Sequence, residues 1–585
     1  MEFTNRETPV QNRSGMSVED AAAELAAGVA APAALAAAAE PAADAALDAD
    51  PYNTLVISDL HLGEDLSPAA TEATRVHVSI VERQLLQFLR HYTRRREDGR
   101  PWRLVINGDL IDFLSIAIRP DHPEFSLLAV RPTQDEREHG LHRTPRTAIA
   151  AIEAVAERHA EVFRALARFA ARGNRIEIVC GNHDAELTFP EAQAALRACL
   201  ARAWNALPEA GRLGAPSGAE VVRAVGFHPW FFYRKGSLWI EHGHQFDENC
   251  SFEHQLDPCR PGTDVIAMNV DVASTRYIAN RVQEADSYSH ESWSMLGYLR
   301  FGAGLGLRGC LELARAYLRF GGAMLAGWRQ NRATRAAREE QRARHLARLR
   351  EIAREAGVAE ETLTALDALH RPPVVGHLRR LTAVMMIDRI VLYAIGIAGA
   401  LASLALVPGS LGAALAVTAL ALAAITARLS GRERAVDNVS ALDQASELVL
   451  GQVDARFVVF GHTHEPVARP AGDGERMYFN TGTWVPGGRP GLLRSFTHLV
   501  VRQREAGPVA ELCQWRDGLS RAFTPGWLPA TQIAGAPARA ALEEAAGRPA
   551  LGEPARAALE AAGAASTAPS AGTGAALGAR AARAR

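Results

Sequence analysis

Residues 54–63 read TLVISDLHLG, an apolar run that ends in an aspartate, a histidine and a glycine. The aliphatic and β-branched residues of 54–58 predict a short buried strand, with Asp59 and His61 directly after its carboxyl end. Other apolar runs along the chain also end in polar or glycine-rich turns, and we predict a strand at each. These runs are 104–106, 176–179, 238–240, 457–460, 476–480 and 497–502.

Helical patterns separate several of these strands, as in residues 75–92 and 147–172. Continuous apolar strands that alternate with helices are typical of α/β proteins whose sheets are covered on their outer faces. The formal net charge of −2 over 585 residues gives no basic field that would favour nucleic acid as a partner. The six cysteines form no CxxC pair, which favours free thiols in a reducing compartment, and the N-terminus shows no secretory signal pattern.

Five polar segments carry the candidate chemistry. They are SDLHLG at 58–63, NGDLID at 107–112, GNHD at 181–184, EHGH at 241–244 and GHTH at 461–464. Four of them follow a predicted strand, and EHGH ends one. Because the carboxyl ends of strands in an open α/β sheet converge on one crevice, such distant segments can share a single site. Carboxylates and imidazoles suit manganese, iron or zinc, and two adjacent ions can clamp both oxygens of a phosphoryl transfer.

Each segment taken alone has an ordinary structural explanation. A DxH triplet occurs often by chance, an Asn-His-Asp run suits a turn, and GHTH can be a pair of structural histidines. All five segments in this order, each at a strand end, together predict a metal site.

The motifs D-x-H, G-D-x-x-D, G-N-H-D, H-G-H and G-H-x-H resemble those of the calcineurin-like metallophosphoesterase superfamily. The resemblance covers about 53–250 and about 452–515, roughly half of the chain. It implies a four-layer αββα sandwich and a cofactor of two divalent metal ions, with manganese expected first and iron or zinc as alternatives. By matching motif, it places one ion on Asp59, His61 and His464, the second on Asn182, His242 and His462, and Asp109 between the two.

The resemblance also implies catalytic roles. His183 stands near a phosphate oxygen, Asp184 orients its ring, and a hydroxide that bridges the metal ions attacks phosphorus. A histidine in that place can protonate the leaving oxygen or stabilise developing charge. Asp112 either supports the ligands or merely caps a helix. His244 either contacts substrate and supports the ligands or is a surface turn histidine, and Asn480 in FNTGTW shapes the pocket.

Residues 251–450 break the alternation of strands and helices and predict a long helical insertion within the catalytic domain. An arginine-rich stretch at 329–354 predicts a basic helix, which either meets anionic headgroups or packs on the catalytic domain with a solvated face. The expected organisation has five parts. They are an Ala/Pro-rich disordered tail (1–50), a first catalytic part (51–250), the insertion (251–450), a second catalytic part (451–520) and an Ala-rich flexible tail (521–585).

Two apolar runs in the insertion predict a transmembrane hairpin at about 390–427. Residues 390–407 and 411–427 contain no charge, and Pro408-Gly409-Ser410 separates them. Each run spans about 27 Å as a helix, close to a hydrocarbon core of about 30 Å. Arginines flank both outer ends, which the positive-inside rule places in the cytoplasm. The alternative is a helical hairpin buried in a soluble core.

These patterns predict an enzyme of the bacterial inner membrane whose catalytic domain is cytoplasmic. The expected reaction is hydrolysis of a phosphoester or pyrophosphate bond in a small or lipid-linked substrate. The motif order is also similar to the UDP-2,3-diacylglucosamine diphosphatase branch, although the insertion is far longer here and GNHD and HGH differ from that branch. Two alternatives stay open: a phosphodiesterase or phosphatase for a soluble substrate that is only tethered to the membrane, and a non-catalytic membrane scaffold.

Overall fold

The folded part of the chain is an α/β protein with two mixed β-sheets. The predicted tails, 1–50 and 521–585, lie outside the residues that the structure describes, except for Asp50 and residues 521–523. The computed structural model describes residues 50–118, 131–281, 306–330, 335–385, 387–432, 438–472, 474–485 and 494–523.

Twelve strands in the described residues form the two sheets. They are β1 (Asn53–Ile57), β2 (Trp102–Asn107), β3 (Arg175–Val179), β4 (Val225–His228), β5 (Phe231–Arg234), β6 (Leu238–Glu241), β7 (Phe457–Phe460), β8 (Val467–Ala471), β9 (Arg476–Asn480), β10 (Thr497–Arg502), β11 (Val509–Arg516) and β12 (Leu519–Ala522). The first sheet has the order β12-β11-β10-β1-β2-β3-β4, in which β1 to β4 are parallel. The second has the order β5-β6-β7-β9-β8, in which β6, β7 and β9 are parallel.

Fourteen α-helices lie in the described residues. They are α1 (Glu72–Arg94), α2 (Gln134–His139), α3 (Pro145–Arg158), α4 (Ala160–Ala171), α5 (Pro190–Asn205), α6 (Gly218–Arg223), α7 (Val270–Ser274), α8 (Gly306–Gln330), α9 (Arg335–Ala356), α10 (Glu360–Asp367), α11 (Leu378–Val384), α12 (Ile387–Leu406), α13 (Ser410–Arg432) and α14 (Asn438–Leu450). The predicted helix over 147–172 is therefore two helices, α3 and α4, which meet at His159.

The central strands are buried on both faces, which explains their continuous apolar sequences. The two sheets pack face to face through a shared core that includes Val56 of β1 and Val459 of β7. The other face of the first sheet packs on α1, α3, α4 and α5, with Phe88 among the buried residues. The other face of the second sheet packs on α9, α10 and α14, through residues such as Leu349 and Leu442.

The insertion leaves and re-enters the second sheet between two neighbouring strands. β6 and β7 pair in parallel, with Leu238 opposite Phe457, although residues 242–456 lie between them in sequence. The described residues of this long connection are helices and turns, as predicted, apart from one isolated bridge between Cys259 and Ile266. Because the two strands are parallel, the insertion starts at the carboxyl end of β6 and returns at the amino end of its neighbour β7.

The arginine-rich helix α9 packs on the second sheet. Its buried residues include His345, Leu349 and Ile352, and the last two belong to the core that covers the second sheet. Arg338 and Arg342 are exposed on the other side. The structure thus favours a basic helix with one packed face and one exposed cationic face.

Helices α12 and α13 are long and apolar enough to cross a membrane, by length and composition. Their apolar windows, Arg389–Leu406 and Ser410–Ala427, are only 11% and 22% buried, so neither helix is the core of a soluble domain. The two helices pack on each other through small residues, since a Cβ on Gly396 would lie 2.5 Å from the Cβ of Ala423. Large apolar side chains elsewhere on both helices, such as Leu401, are exposed.

Candidate metal centre

The five polar segments meet at one place between the two sheets. Asp59 and His61 follow β1, Asp109 follows β2, and the GNHD segment follows β3 in the first sheet. His242 follows β6, and the GHTH segment follows β7 in the second sheet. The convergence that the sequence predicts is therefore present.

Five of the predicted metal ligands have a left-handed backbone. The φ angle is 55° at Asp59, 48° at His61, 55° at Asp109, 67° at His462 and 57° at His464. Only eight described non-glycine residues have a positive φ, so ligands account for most of them. Aspartate and histidine tolerate this region better than most residues, and such strained positions concentrate at functional sites.

The first predicted ligand set, Asp59, His61 and His464, is compact. Nε2 of His464 lies 3.1 Å from Oδ1 of Asp59, and the rings of His61 and His464 have centroids 5.4 Å apart. Each of the three residues offers one possible ligand atom, and these three atoms lie within 4.8 Å of one another. Oδ1 of Asp59 is buried and receives no hydrogen bond of good geometry from the described residues, so its lone pairs are available to a cation.

Asp109 lies between the two predicted ligand sets. Its Oδ2 is 3.8 Å from Nε2 of His61 and 3.2 Å from Nε2 of His242. In the second set, Oδ1 of Asn182 is 3.2 Å from the same His242 nitrogen, and the ring of His462 has its centroid 5.4 Å from that of His242. This is the position that a carboxylate bridging two cations needs.

A backbone contact fixes the tautomer of His242. Its Nδ1 lies 2.8 Å from the carbonyl oxygen of Asn107, and because a carbonyl can only accept, Nδ1 carries the hydrogen. Nε2 therefore faces the site with a lone pair that can bind a metal ion, the usual arrangement of ligating histidines. Gly108 permits the contact: its φ is 80°, and a Cβ there would lie 2.2 Å from Nδ1 of His242.

The ring of His183 is oriented by Asp112. Nδ1 of His183 lies 2.8 Å from Oδ1 of Asp112, whose Oδ2 accepts a hydrogen bond of 2.5 Å from the hydroxyl of Ser115. No α-helix begins at Asp112 in the described residues, so this residue supports the site and does not cap a helix.

Asp184, the predicted orienting residue, has a different position. Its two carboxylate oxygens accept hydrogen bonds from the backbone N–H groups of Gly181, at 2.6 Å, and Leu110, at 2.8 Å. It therefore ties the GNHD segment to the segment that carries Asp109. Burial and the nearby Asp109 carboxylate raise the pKa of Asp184 to about 7. The prediction that Asp184 orients the ring of His183 is therefore wrong. Asp112 makes that contact.

His244 and Asn480 both lie inside the protein, beside the ligands. His244 is buried with its ring centroid 5.5 Å from that of His242, which excludes the surface-turn alternative. Asn480 donates hydrogen bonds to the carbonyl oxygen of Gly461, at 2.7 Å, and the hydroxyl of Thr463, at 3.1 Å. It thereby holds the GHTH segment in shape.

Sequence reasoning missed two carboxylates that reach the centre. Asp247 is fully buried, with Oδ2 3.3 Å from Nε2 of His462, and it also accepts a hydrogen bond of 2.7 Å from Asn438 at the start of α14. Its signal in the sequence is weak, because it lies in the stretch DEN after EHGHQF and belongs to none of the five segments.

Asp271 of α7 is the second of these carboxylates. Its Oδ2 accepts a hydrogen bond of 2.9 Å from the amide of Asn182 and lies 3.6 Å from Nε2 of His183. Arg276 anchors this part of the insertion by donating to the carbonyl oxygen of Leu141 at 2.8 Å and to Asp135 at 2.7 Å. The insertion therefore contributes directly to the centre.

Burial and close charges shift the pKa values of the ligands in opposite directions. Burial, with the neighbouring His183, lowers the pKa of His61 to about 3, so this ring is neutral and able to bind a metal ion. Burial also lowers the pKa of His242, but the Asp109 carboxylate outweighs it and raises the pKa to about 9. The carboxylates around His242 therefore favour a proton on its buried imidazole. Divalent cations bound at the same place would neutralise the negative charge of these carboxylates instead.

No family model matches the sequence, and no curated protein matches it either. The case for a metal centre therefore depends on the residues themselves. Their donor set, carboxylate oxygens, imidazole nitrogens and one amide oxygen, fits two manganese, iron or zinc ions.

Proposed function

We propose that the protein is a metallophosphoesterase that hydrolyses a phosphoester or pyrophosphate bond with two divalent metal ions. One observation carries the proposal: seven ligand-type residues from five distant segments converge around Asp109, and five of them have a left-handed backbone. Such strain is stable only where the surrounding structure fixes it. The bound ions would lower the pKa of water and neutralise charge on the phosphate.

Residues of this chain would hold and move a proton beside the ions. Asp112 holds the ring of His183 through Nδ1, and Nε2, which lies 3.6 Å from Oδ2 of Asp271, would face the reacting phosphate. From there His183 can donate a proton to the leaving oxygen or a hydrogen bond to a phosphate oxygen, a contribution of about 10²–10⁴-fold to rate. The two facing sheets with helices on both outer sides agree with the four-layer sandwich of calcineurin-like enzymes.

We further propose that α12 and α13 form a transmembrane hairpin in the bacterial inner membrane, with the catalytic domain in the cytoplasm. Because β6 and β7 are neighbours, the chain between them has to cross the membrane an even number of times. Two spans satisfy this condition. A lipid-linked or nucleotide-sugar substrate fits this position better than a freely soluble one, because the start of the insertion itself reaches the metal centre through Asp271.

The experiment is a hydrolysis panel on full-length protein in detergent, loaded with Mn²⁺ and with its metal content measured. The panel contains a phosphomonoester, a phosphodiester, a nucleotide-linked pyrophosphate and a lipid-linked pyrophosphate. We expect turnover of at least one class, and we expect Asp109→Ala to lose both turnover and metal.

Asp98→Ala is the matched control, since Asp98 has the same φ of 55° but is exposed and remote from the ligands. This control should keep metal and turnover. A metal-loaded wild type that cleaves nothing in the panel would favour the scaffold alternative. Turnover confined to soluble esters would favour the tethered enzyme.

A further inference from the structure

The insertion contains a cavity of about 820 Å³ whose lining includes none of the predicted metal ligands. Its walls come from residues 251–269, which follow the EHGH segment, from helices α9 and α10, and from the turn before α11. A cavity of this size can hold a small molecule or the headgroup of a lipid.

Two arginines without partners face this cavity. Arg338 and Arg342 are exposed on α9, and no described residue forms an ion pair or hydrogen bond with either guanidinium. Three of the four lining carboxylates are already paired, while the fourth, Glu253, is exposed. The pairs are Arg344–Asp257 at 2.8 Å, His345–Asp367 at 3.0 Å and Arg335–Glu339 at 2.7 Å.

A buried histidine adds an unsatisfied polar atom. His345 lines the cavity, is only 2% exposed, and contacts Asp367 through Nε2. Its Nδ1 is buried and has no hydrogen-bond partner among the described residues. Leaving a buried ring nitrogen unpaired is unfavourable, so such groups usually have a partner such as a ligand or an ordered water.

The lining of the cavity is adjacent in sequence to both the apolar hairpin and the candidate metal centre. Gly376 and His377 in its lining directly precede α11, which leads into α12. Residues 267–269 in its lining precede α7, which carries Asp271. The segment before α11 is also bound to the EHGH loop region, since the N–H of Val374 donates to a backbone carbonyl there at 2.9 Å.

We propose that this cavity is a binding site for the phosphate group of an anionic ligand, held by Arg338 and Arg342, with Nδ1 of His345 accepting a hydrogen bond from a hydroxyl of the same ligand. Arginine is well suited to this task because its guanidinium matches phosphate oxygens in pairs. The phosphate belongs either to a phospholipid headgroup that enters from the base of the hairpin or to a soluble phosphate. The site is separate from the proposed hydrolytic centre and does not require that centre to be active.

Binding to the full-length, metal-loaded protein in detergent tests the proposal. One arm uses native mass spectrometry to count bound phosphatidylglycerol, with phosphatidylcholine of the same chains as the zwitterionic comparison. The other arm uses equilibrium dialysis with labelled inorganic phosphate. Each arm compares wild type with Arg338→Gln/Arg342→Gln and with Arg350→Gln/Arg354→Gln, a matched pair on the same helix outside this cavity.

We expect the first double variant to bind the preferred probe about tenfold or more weakly, as when charge-assisted hydrogen bonds are lost, and the second to bind like wild type. Preference for phosphatidylglycerol identifies a lipid headgroup as the source, and preference for inorganic phosphate identifies a soluble one. Equal weakening by both double variants would mean general attraction by a basic helix and would overturn the cavity site. Unchanged binding by Arg338→Gln/Arg342→Gln would overturn it as well. Neither arm measures turnover, so failure here leaves the proposed hydrolysis untouched.

Discussion

At Gly181 the chain passes so close to Asp109 that a Cβ would lie 2.1 Å from its Oδ1. That carboxylate oxygen also accepts the N–H of His183 at 3.0 Å. A glycine in this place is therefore a condition for the central carboxylate to keep its position. The sequence shows the glycine as part of GNHD, but only the structure shows which atom it makes room for.

Gly181→Ala should displace Asp109 and weaken both metal sites together. We expect metal content to fall below two ions per chain and turnover to fall at least 100-fold, about the loss seen when a catalytic group is misplaced. Metal analysis and initial rates measure this. Gly211→Ala is the control, because Gly211 has nothing within 4 Å of its Cβ position and should change neither value. Normal metal content and rate in Gly181→Ala would contradict the geometry.

Asp112 should act through His183 alone. Asp112→Asn removes the carboxylate at Nδ1 while keeping the side-chain shape, so we expect kcat to fall about 10–100-fold with metal content unchanged. In a His183→Ala background the same substitution should have little further effect, since interacting residues are not additive. The double-mutant cycle measures the coupling. Full additivity would show that Asp112 acts on the reaction by another route.

The sequence motifs predicted which seven residues converge at the candidate centre, since each lies directly after a strand or at its end. Asp247 and Asp271 were missed for a physical reason: a carboxylate joins a site through contacts that are distant in sequence. Asp247 meets His462 across 215 positions, and no local spacing encodes that meeting. The contact of Asp112 with the ring of His183 is also distant in sequence, across 71 positions. Asp184, the direct neighbour of His183, was therefore predicted to make it.

At the scale of the element, His159 divides a predicted helix into α3 and α4. The break contains no proline or glycine, so the local sequence favours a continuous helix. His159 is buried, with Nε2 3.4 Å from Asp65 and Nδ1 3.8 Å from Glu82. Contacts with two carboxylates outside these helices therefore determine where α3 ends. Helix propensity alone does not predict such contacts.

The His159 contact should make stability depend on pH. Burial lowers its pKa, but Asp65 and Glu82 outweigh burial and raise it above the usual value. A raised pKa in the folded state stabilises the protein fully below the unfolded pKa of about 6.5, and this contribution is lost as pH rises through the folded pKa. His159→Gln should thus lower the unfolding temperature more at pH 6 than at pH 9.

Thermal unfolding in detergent at the two pH values measures this difference. His77→Gln, on the exposed face of α1, is the matched control and should show no such dependence. An equal loss at both pH values in His159→Gln would indicate packing alone, without a charged ring.

The strand pattern was easier to predict than the helix break. All seven predicted strands are present, because each contains apolar residues that are buried in the core. β4, β5, β8, β11 and β12 were not predicted. β8 contains Pro470, and β12 is largely exposed, so neither has the apolar signature of a central strand.

At the scale of the whole molecule, the hairpin of α12 and α13 is the feature that supports the proposed membrane location. Its apolar faces are exposed over most of both helices, and the catalytic core packs elsewhere. Apolar runs and flanking arginines predicted this hairpin from sequence. The two contacts that bring the insertion into the metal centre, from Asp271 and Asn438, could not be predicted.

Replacing residues 388–430 with a short flexible linker should release the protein from membranes while the metal centre stays intact. Wild type should instead resist extraction by 1 M salt, at which the Debye length is only about 3 Å and attachment by arginines alone is screened. Sedimentation, metal content and hydrolysis of a small soluble phosphoester measure these results. Turnover of a lipid-linked substrate should fall much further. Full solubility of the unaltered chain without detergent would contradict the membrane hairpin.

The order of the strands in the first sheet also has a consequence for biosynthesis. β1 is the first strand of the chain and lies between β2 and β10 in the sheet. Only β11 and β12 are synthesised after β10, so β1 gains this neighbour late. His462 and His464 likewise leave the ribosome only after the whole hairpin. If the hairpin spans a membrane as proposed, it would insert while the nascent chain still holds an incomplete set of proposed ligands. Metal loading would then be one of the final events in the maturation of this protein, after the hairpin is in place.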